Sequence, residues 1–157
     1  MKLYTTLVFV IVAFVVFPIN AQGNSIEWTT IENVEDSLSR KRKRTILYFY
    51  TDWCVYCKKM EQSAFKDQQV IEKLKKDYYT IKLNAETADT IQIGNDQFIN
   101  KNLKKSRNPT HELAELLGSR KDKPFVAPVI VLFDEQFNVI KRSFEYLSPK
   151  ELYQWIQ

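Results

Sequence analysis

Cysteine and histidine are scarce in this chain, with two cysteines and one histidine among 157 residues. That scarcity argues against a disulfide-stapled scaffold, which needs several bridges. It also leaves Cys54, Cys57 and His111 as the soft or borderline ligands, too few for a four-coordinate zinc site of Cys and His. A strong excess of one charge is lacking as well. The formal net charge is +4, falling to +3 without Lys2, which keeps a domain soluble and does not argue for nucleic acid. No internal repeat or low-complexity tract is present, and the length fits one domain with a single hydrophobic core.

Long apolar runs are also rare. Residues 7–17 (LVFVIVAFVVF) form one, preceded by Lys2 and followed by Pro18-Ile19-Asn20-Ala21-Gln22. This order of charge, apolar core and small residue is that of a secretory signal, with cleavage expected after Ala21 and a domain over 22–157. Ile19, two residues before Ala21, is not the small residue of the usual pattern, so the bond itself is open. The rival reading is an uncleaved anchor over 3–19, which reaches the lower edge of a membrane span and is weakened by Thr5, Thr6 and Pro18. No cysteine follows the run to carry a lipid. The chain is therefore expected to be exported and periplasmic, with a secreted or membrane-anchored form as alternatives.

What the chain does have is a C-x-x-C. Both cysteines lie in Trp53-Cys54-Val55-Tyr56-Cys57, after residues 45–50 (TILYFY), a β-branched and aromatic run of the kind buried on both faces of a sheet. From Val55 to Lys76 the apolar positions recur in helical steps, with a bend expected near Lys66-Asp67. Cys54 is thus expected at a strand-to-helix turn. A structural bridge is the competing reading in an oxidising compartment, but it closes a very short loop and would be a poor staple.

Elsewhere the pattern predicts a helix from Ile31, capped by Thr29 or Thr30, with Arg40 to Arg44 (RKRKR) at its end. That basic run is read as a solvated helix terminus and loop, with an anionic or protein-docking patch as the alternative. Strands are expected over 78–83, 129–133 and 139–144, with a small hairpin near 91–98. Residues 109–117 read as a helix with Leu113, Leu116 and Leu117 on its apolar side and Gly118 as its stop. Ser148-Pro149-Lys150-Glu151 supplies N-cap, Pro at N1 and Glu at N3 for a closing helix.

A thiol attacks a disulfide as the thiolate, and a helix N-terminus stabilises that anion with unsatisfied N–H groups. Cys54 is therefore read as the nucleophile. Cys57, three residues on and more enclosed, is read as the thiol that resolves the mixed disulfide. Trp53 is expected to wall the sulfur with a flat apolar face, and Tyr56 to face solvent. His111, at an expected helix start, is read as a surface or capping residue.

With these residues in place the chain resembles the thioredoxin superfamily from about Glu27 to its end. Within it, Tyr50-Thr51-Asp52-Trp53-Cys54-Val55-Tyr56-Cys57-Lys58 and Phe65-Lys66-Asp67-Gln68-Gln69-Val70 are similar to the C-terminal domain of the disulfide reductase DsbD. The resemblance implies an α/β fold, a central mixed sheet flanked by helices, with an insertion (residues 85–123) before the strand that follows a cis-proline. It places Pro128 opposite the cysteines, with the backbone of Ala127 pairing an extended substrate. It implies a protein-disulfide reductase without a bound cofactor, a monomer acting on protein or peptide disulfides and fed by a membrane thiol donor. An oxidant or isomerase, or a binding module with a permanent disulfide, stays open. One departure matters. Thioredoxins carry a buried Asp where this chain has Tyr48, read here as core packing, and Glu61 matches an acidic residue of the DsbD-like group that would modulate the Cys57 thiol.

Overall fold

The computed structural model describes residues 25–157; the expected signal segment, with its boundary at residue 21, lies outside the described residues. Five strands form the main sheet: β1 (Trp28–Thr29), β2 (Arg44–Tyr50), β3 (Tyr78–Asn84), β6 (Val129–Phe133) and β7 (Val139–Ser143). Their order is β1-β3-β2-β6-β7. The first three run parallel, and β6 and β7 are antiparallel to their neighbours. The sheet is mixed, as expected. β4 (Ile91–Ile93) and β5 (Asp96–Phe98) pair as the separate hairpin.

Alternation along β2 explains its unbroken apolar sequence. Ile46 and Tyr48 face one core cluster, while Leu47 and Phe49 face the other. β6 does the same, with Ile130 and Leu132 on the first side and Val129, Val131 and Phe133 on the second. The expected single core is therefore two cores divided by the sheet, because a strand covered on both sides buries both sets of alternating side chains. Helices α2 (Val55–Gln62), α3 (Gln68–Asp77) and α5 (Pro149–Trp155) fill the first with Met60, Val70, Ile71, Leu74 and Leu152. Helices α1 (Ile31–Arg40) and α4 (Glu112–Gly118), with the hairpin, fill the second through Ile31, Val34, Ile91, Leu113 and Ala114.

Local signals set most boundaries. Thr30 caps α1, its Oγ1 accepting from the Asn33 N–H at 3.4 Å. The expected bend is a 3-10 turn over Ala64–Lys66, after which Asp67 caps α3 by accepting from the Gln69 and Val70 N–H groups. Ser148 and Glu151 close the capping box of α5. Gly94 turns the hairpin at φ +56, where a side chain would be strained, and its N–H reaches Glu35 Oε2 of α1 at 3.1 Å.

Several differences stand out. Strand β1 was not expected, since two residues carry no period. Strand β7 stops at Ser143, one residue short of the expected end. Helix α4 starts three residues later than expected, because the buried His111 is its N-cap, Nδ1 accepting from the Leu113 N–H at 3.1 Å. The capping role holds and the surface one does not. The same ring is 0% exposed, and its Nε2 lies 3.2 Å from the Asp89 carbonyl, which assigns the proton to Nε2. The apolar side of α4 is also shifted: Leu113, Ala114 and Gly118 are buried while Leu116 is 63% exposed. Gly118 is a close-packing residue within the helix, since a Cβ there would lie 2.7 Å from the Phe125 ring.

Candidate active site

Strand β2 ends at Tyr50, a turn over residues 51–53 follows, and Cys54 becomes the N-cap of α2. The turn is closed by the Cys54 N–H donating to the Thr51 carbonyl at 3.1 Å. Cys54 and Cys57 are joined as a disulfide with an S–S distance of 2.06 Å. The Cys57 N–H donates to Cys54 Sγ at 3.0 Å, so a first-turn amide points at the sulfur expected to attack. Both cysteines are buried, Cys57 the more so, at 1% against 4%.

Tyr56, between the cysteines, and Trp53, before them, have different surroundings. Tyr56 is 61% exposed, its ring 6.3 Å from that of Tyr146, over which the Lys59 ammonium sits at 4.5 Å. Trp53 is 54% exposed, and its indole Nε1–H is shared by both carboxylate oxygens of Glu86 at 3.1 Å. Glu86 is itself placed by the turn after β3, where its N–H donates to Asn84 Oδ1 at 2.9 Å. The Asn84 amide also donates to Asp52 Oδ2 at 3.2 Å. A polar chain from Asp52 through Asn84 and Glu86 thus holds the indole. Sequence reasoning named Trp53 but missed Asn84 and Glu86, which lie more than thirty positions away with no local signal.

The Ala127–Pro128 peptide bond is cis, and it sits at the start of β6. Ala127 and Trp53 share a groove of about 570 Å³ with Thr51, Val126, Glu86 and Glu115. The insertion adds Glu86, Asn108, Thr110, Glu115 and Ser119 to its lining. Within that segment Asn100 ties two turns together by donating to the Thr87 and Pro109 carbonyls, and Asn102 reaches the Thr110 carbonyl and Glu115 Oε1.

Glu61 lies away from the sulfurs in its contacts. It pairs with Lys82 at 3.0 Å, whose ammonium also covers the Tyr50 ring at 4.4 Å. Burial, and after it the nearby Glu61 carboxylate, pushes the Tyr48 phenol up from its usual value. The hydroxyl of Tyr48 has no hydrogen-bond partner among the described residues, so Glu61 acts on it without meeting hydrogen-bond geometry. Tyr48 packs against Phe65 and Trp28 in the cluster that also holds Cys57, as core packing requires. Among the described residues no group of three or more His, Cys, Asp or Glu side chains is arranged to hold a metal ion.

Comparison with known proteins agrees with this geometry. The family profile of a thioredoxin-like domain matches residues 31–157. A 61-residue stretch is 36% identical to the thiol:disulfide interchange protein DsbD of Vibrio vulnificus, covering 35% of this chain and 10% of that protein. The chain thus matches about a tenth of that relative's length. Among solved structures, a thioredoxin from Thermus thermophilus superposes with a TM-score of 0.57 at 16% identity, covering 84% of this chain and 85% of that one. The oxidoreductase DsbH gives 0.55 at 16% identity over 84% and 82%. The DsbD C-terminal domain of Neisseria meningitidis, in its reduced form, gives 0.51 at 15% identity over 80% and 89%. These likenesses establish the fold, and the profile together with the C-x-x-C at the end of β2 establishes the kinship: the chain belongs to the thioredoxin-like domain family.

Proposed function

We propose that this protein is an exported thiol-disulfide oxidoreductase that reduces protein or peptide disulfides through Cys54 and Cys57. The observation that carries the reading is the redox pair itself, with Cys54 capping α2 and the Cys57 amide directed at its sulfur. In the dithiol form that amide and the helix N-terminus favour the Cys54 thiolate. The thiolate attacks one sulfur of a substrate disulfide, breaking that bond, and the departing thiolate takes up a proton. Cys57 then loses its proton and attacks Cys54 Sγ, which releases the second substrate thiol and closes the Cys54–Cys57 disulfide. Two electrons and two protons pass to the substrate. A membrane thiol donor returns them to the pair in the exported compartment, and the protein works as a monomer without a bound cofactor.

Around the sulfurs, Trp53 and Tyr56 offer exposed aromatic walls, and Ala127 before Pro128 offers backbone for an extended substrate segment. Glu61, one turn after Cys57 on the same helix, modulates the Cys57 thiol; a thiol pH profile unmoved by Glu61→Gln removes this part. The direction of electron flow rests on the reductase-like motif and on Val55-Tyr56, which contributes neither Pro nor a basic residue between the cysteines. Reduction of insulin by the protein in the presence of dithiothreitol tests the whole. Faster precipitation than dithiothreitol alone is expected, and Cys57→Ser is expected to accumulate a mixed disulfide with its substrate. A pair that does not cycle returns the chain to the binding-module reading.

A further inference from the structure

The charge of the groove beside Trp53 is opposite to that of the chain. The whole protein carries 23 Lys and Arg against 19 Asp and Glu, yet the groove is lined by two carboxylates, Glu86 and Glu115, and by no Lys or Arg. The polar contacts of both carboxylates are with neutral donors, Glu86 with the Trp53 indole and Glu115 with the Asn102 amide. Neither has an ion-pair partner among the described residues. Of the cations on neighbouring elements, Arg142 reaches the edge by donating to the carbonyl of Ser119, a lining residue, at 3.5 Å, while Arg120 lies over the Phe144 ring at 4.9 Å and Lys101 pairs with Glu112.

A second observation points to a ligand in the same place. Thr51 lines the groove and is 3% exposed, and its hydroxyl has no hydrogen-bond partner among the described residues. A buried hydroxyl left without a partner is costly, and with the oxygen itself covered, a rotation of the side chain toward the groove would let an entering polypeptide backbone supply one. Val126 adds an apolar contact, being 53% exposed on the same wall.

We infer that this groove selects substrates whose cysteine is followed or preceded, within reach of the insertion, by Lys or Arg. The substrate strand lies along Val126-Ala127, its backbone meets the Thr51 hydroxyl, and its cation is held between Glu86 and Glu115. The assignment rests on the reductase reading and adds to it the class of substrate. It also gives the insertion a role: residues 85–123 supply both carboxylates, and thereby the selectivity that the C-x-x-C lacks.

The test is a set of mixed disulfides between glutathione and one cysteine peptide, with Lys, Gln or Glu scanned through the positions on each side of the cysteine. The rate of their reduction by the dithiol protein is read at low and high salt. At the best position Lys is expected to exceed Glu by roughly tenfold at low salt, with the ratio shrinking as salt screens the pair. Glu115→Gln, and separately Glu86→Gln, are expected to bring that ratio toward one. Equal rates for Lys and Glu peptides at every position overturn the proposal while leaving the reductase reading intact. A ratio that survives both substitutions also overturns it. A protein that reduces none of the peptides defeats the reductase reading itself, and this inference with it.

Discussion

Strand β2 joins two ends of the molecule that differ in charge as well as in chemistry. At its start, Arg44 belongs to a groove of about 410 Å³ lined by Lys41, Arg42, Lys43, Arg44, Lys73 and Lys76, against the carboxylates of Asp77 and Glu135. At its finish the chain turns into Cys54, beside a groove whose lining charges are Glu86 and Glu115. The basic run conspicuous in the sequence therefore lies at the opposite end of the strand from the redox pair. Part of the charge at this end is engaged locally: Arg44 with Glu135 at 3.6 Å, Lys73 with Asp77 at 2.9 Å, and Lys43 with the Lys75 carbonyl at 3.3 Å. A net charge near +4 thus says little about what the active end meets. Local lining is the better guide to a substrate than total charge.

The largest effect expected from breaking this contrast is at the cysteines. Cys54→Ser should reduce insulin turnover to the uncatalysed level, a loss of at least about a thousandfold on the covalent mechanism. Reversing charge at the other end, with Arg42→Glu and Lys76→Glu together, should leave the same rate within about twofold, since those groups lie beyond the Debye length of roughly 10 Å at 0.1 M salt. A comparable loss from the double reversal would show that the two ends are not independent.

Next in size is Gly118→Ala. The added methyl meets the Phe125 ring at 2.7 Å, and that ring lies edge-on to Phe49 at 5.9 Å. Urea unfolding is expected to register a loss of about 1–3 kcal/mol from overpacking, together with a weakened peptide preference as the groove wall moves. Thr51→Val sharpens the contrast between stability and function. Removing an unpartnered buried hydroxyl should stabilise the fold by about 1 kcal/mol, yet raise the KM for peptide disulfides. Stabilisation without a KM change would confine Thr51 to a packing role.

The smallest effect belongs to the basic end and depends on pH. The Lys73 hydrogen bond holds the Asp77 carboxyl below its usual value of 3.8. A depressed folded value adds stability above the unfolded one and loses it as pH falls through the folded one. Asp77→Asn should therefore lower the melting temperature slightly at pH 7 and remove part of its decline below about pH 4. At this exposed site the difference should remain small and shrink with salt.

Which of these features could be foreseen follows from the reach of each signal. The C-x-x-C, the strand before it, the Asp67 cap and the Ser148–Glu151 capping box are written within a few consecutive residues. An unbroken β-branched and aromatic run likewise makes β2 and β6 readable, although it does not reveal that their alternate faces belong to two separate cores. The Trp53–Glu86 contact spans 33 positions, and Glu115 joins the same groove from α4. Nothing local announces either, because a carboxylate in a polar insertion reads as solvated. His111 was legible as a cap but not as a buried one, since it is held by the distant carbonyls of Ala85 and Asp89 as well as by α4.

The central claim is that electrons pass through Cys54 and Cys57 toward substrate disulfides. Equilibrating the pair with a series of reduced-to-oxidised glutathione ratios, and measuring the fraction of free thiol at each, tests it most directly. A reversible two-electron transition is expected, with a midpoint more negative than about −200 mV, on the reducing side of the oxidising protein catalysts. A pair that stays closed across the whole series would contradict catalysis through it, and a midpoint near about −120 mV would reverse the direction of flow.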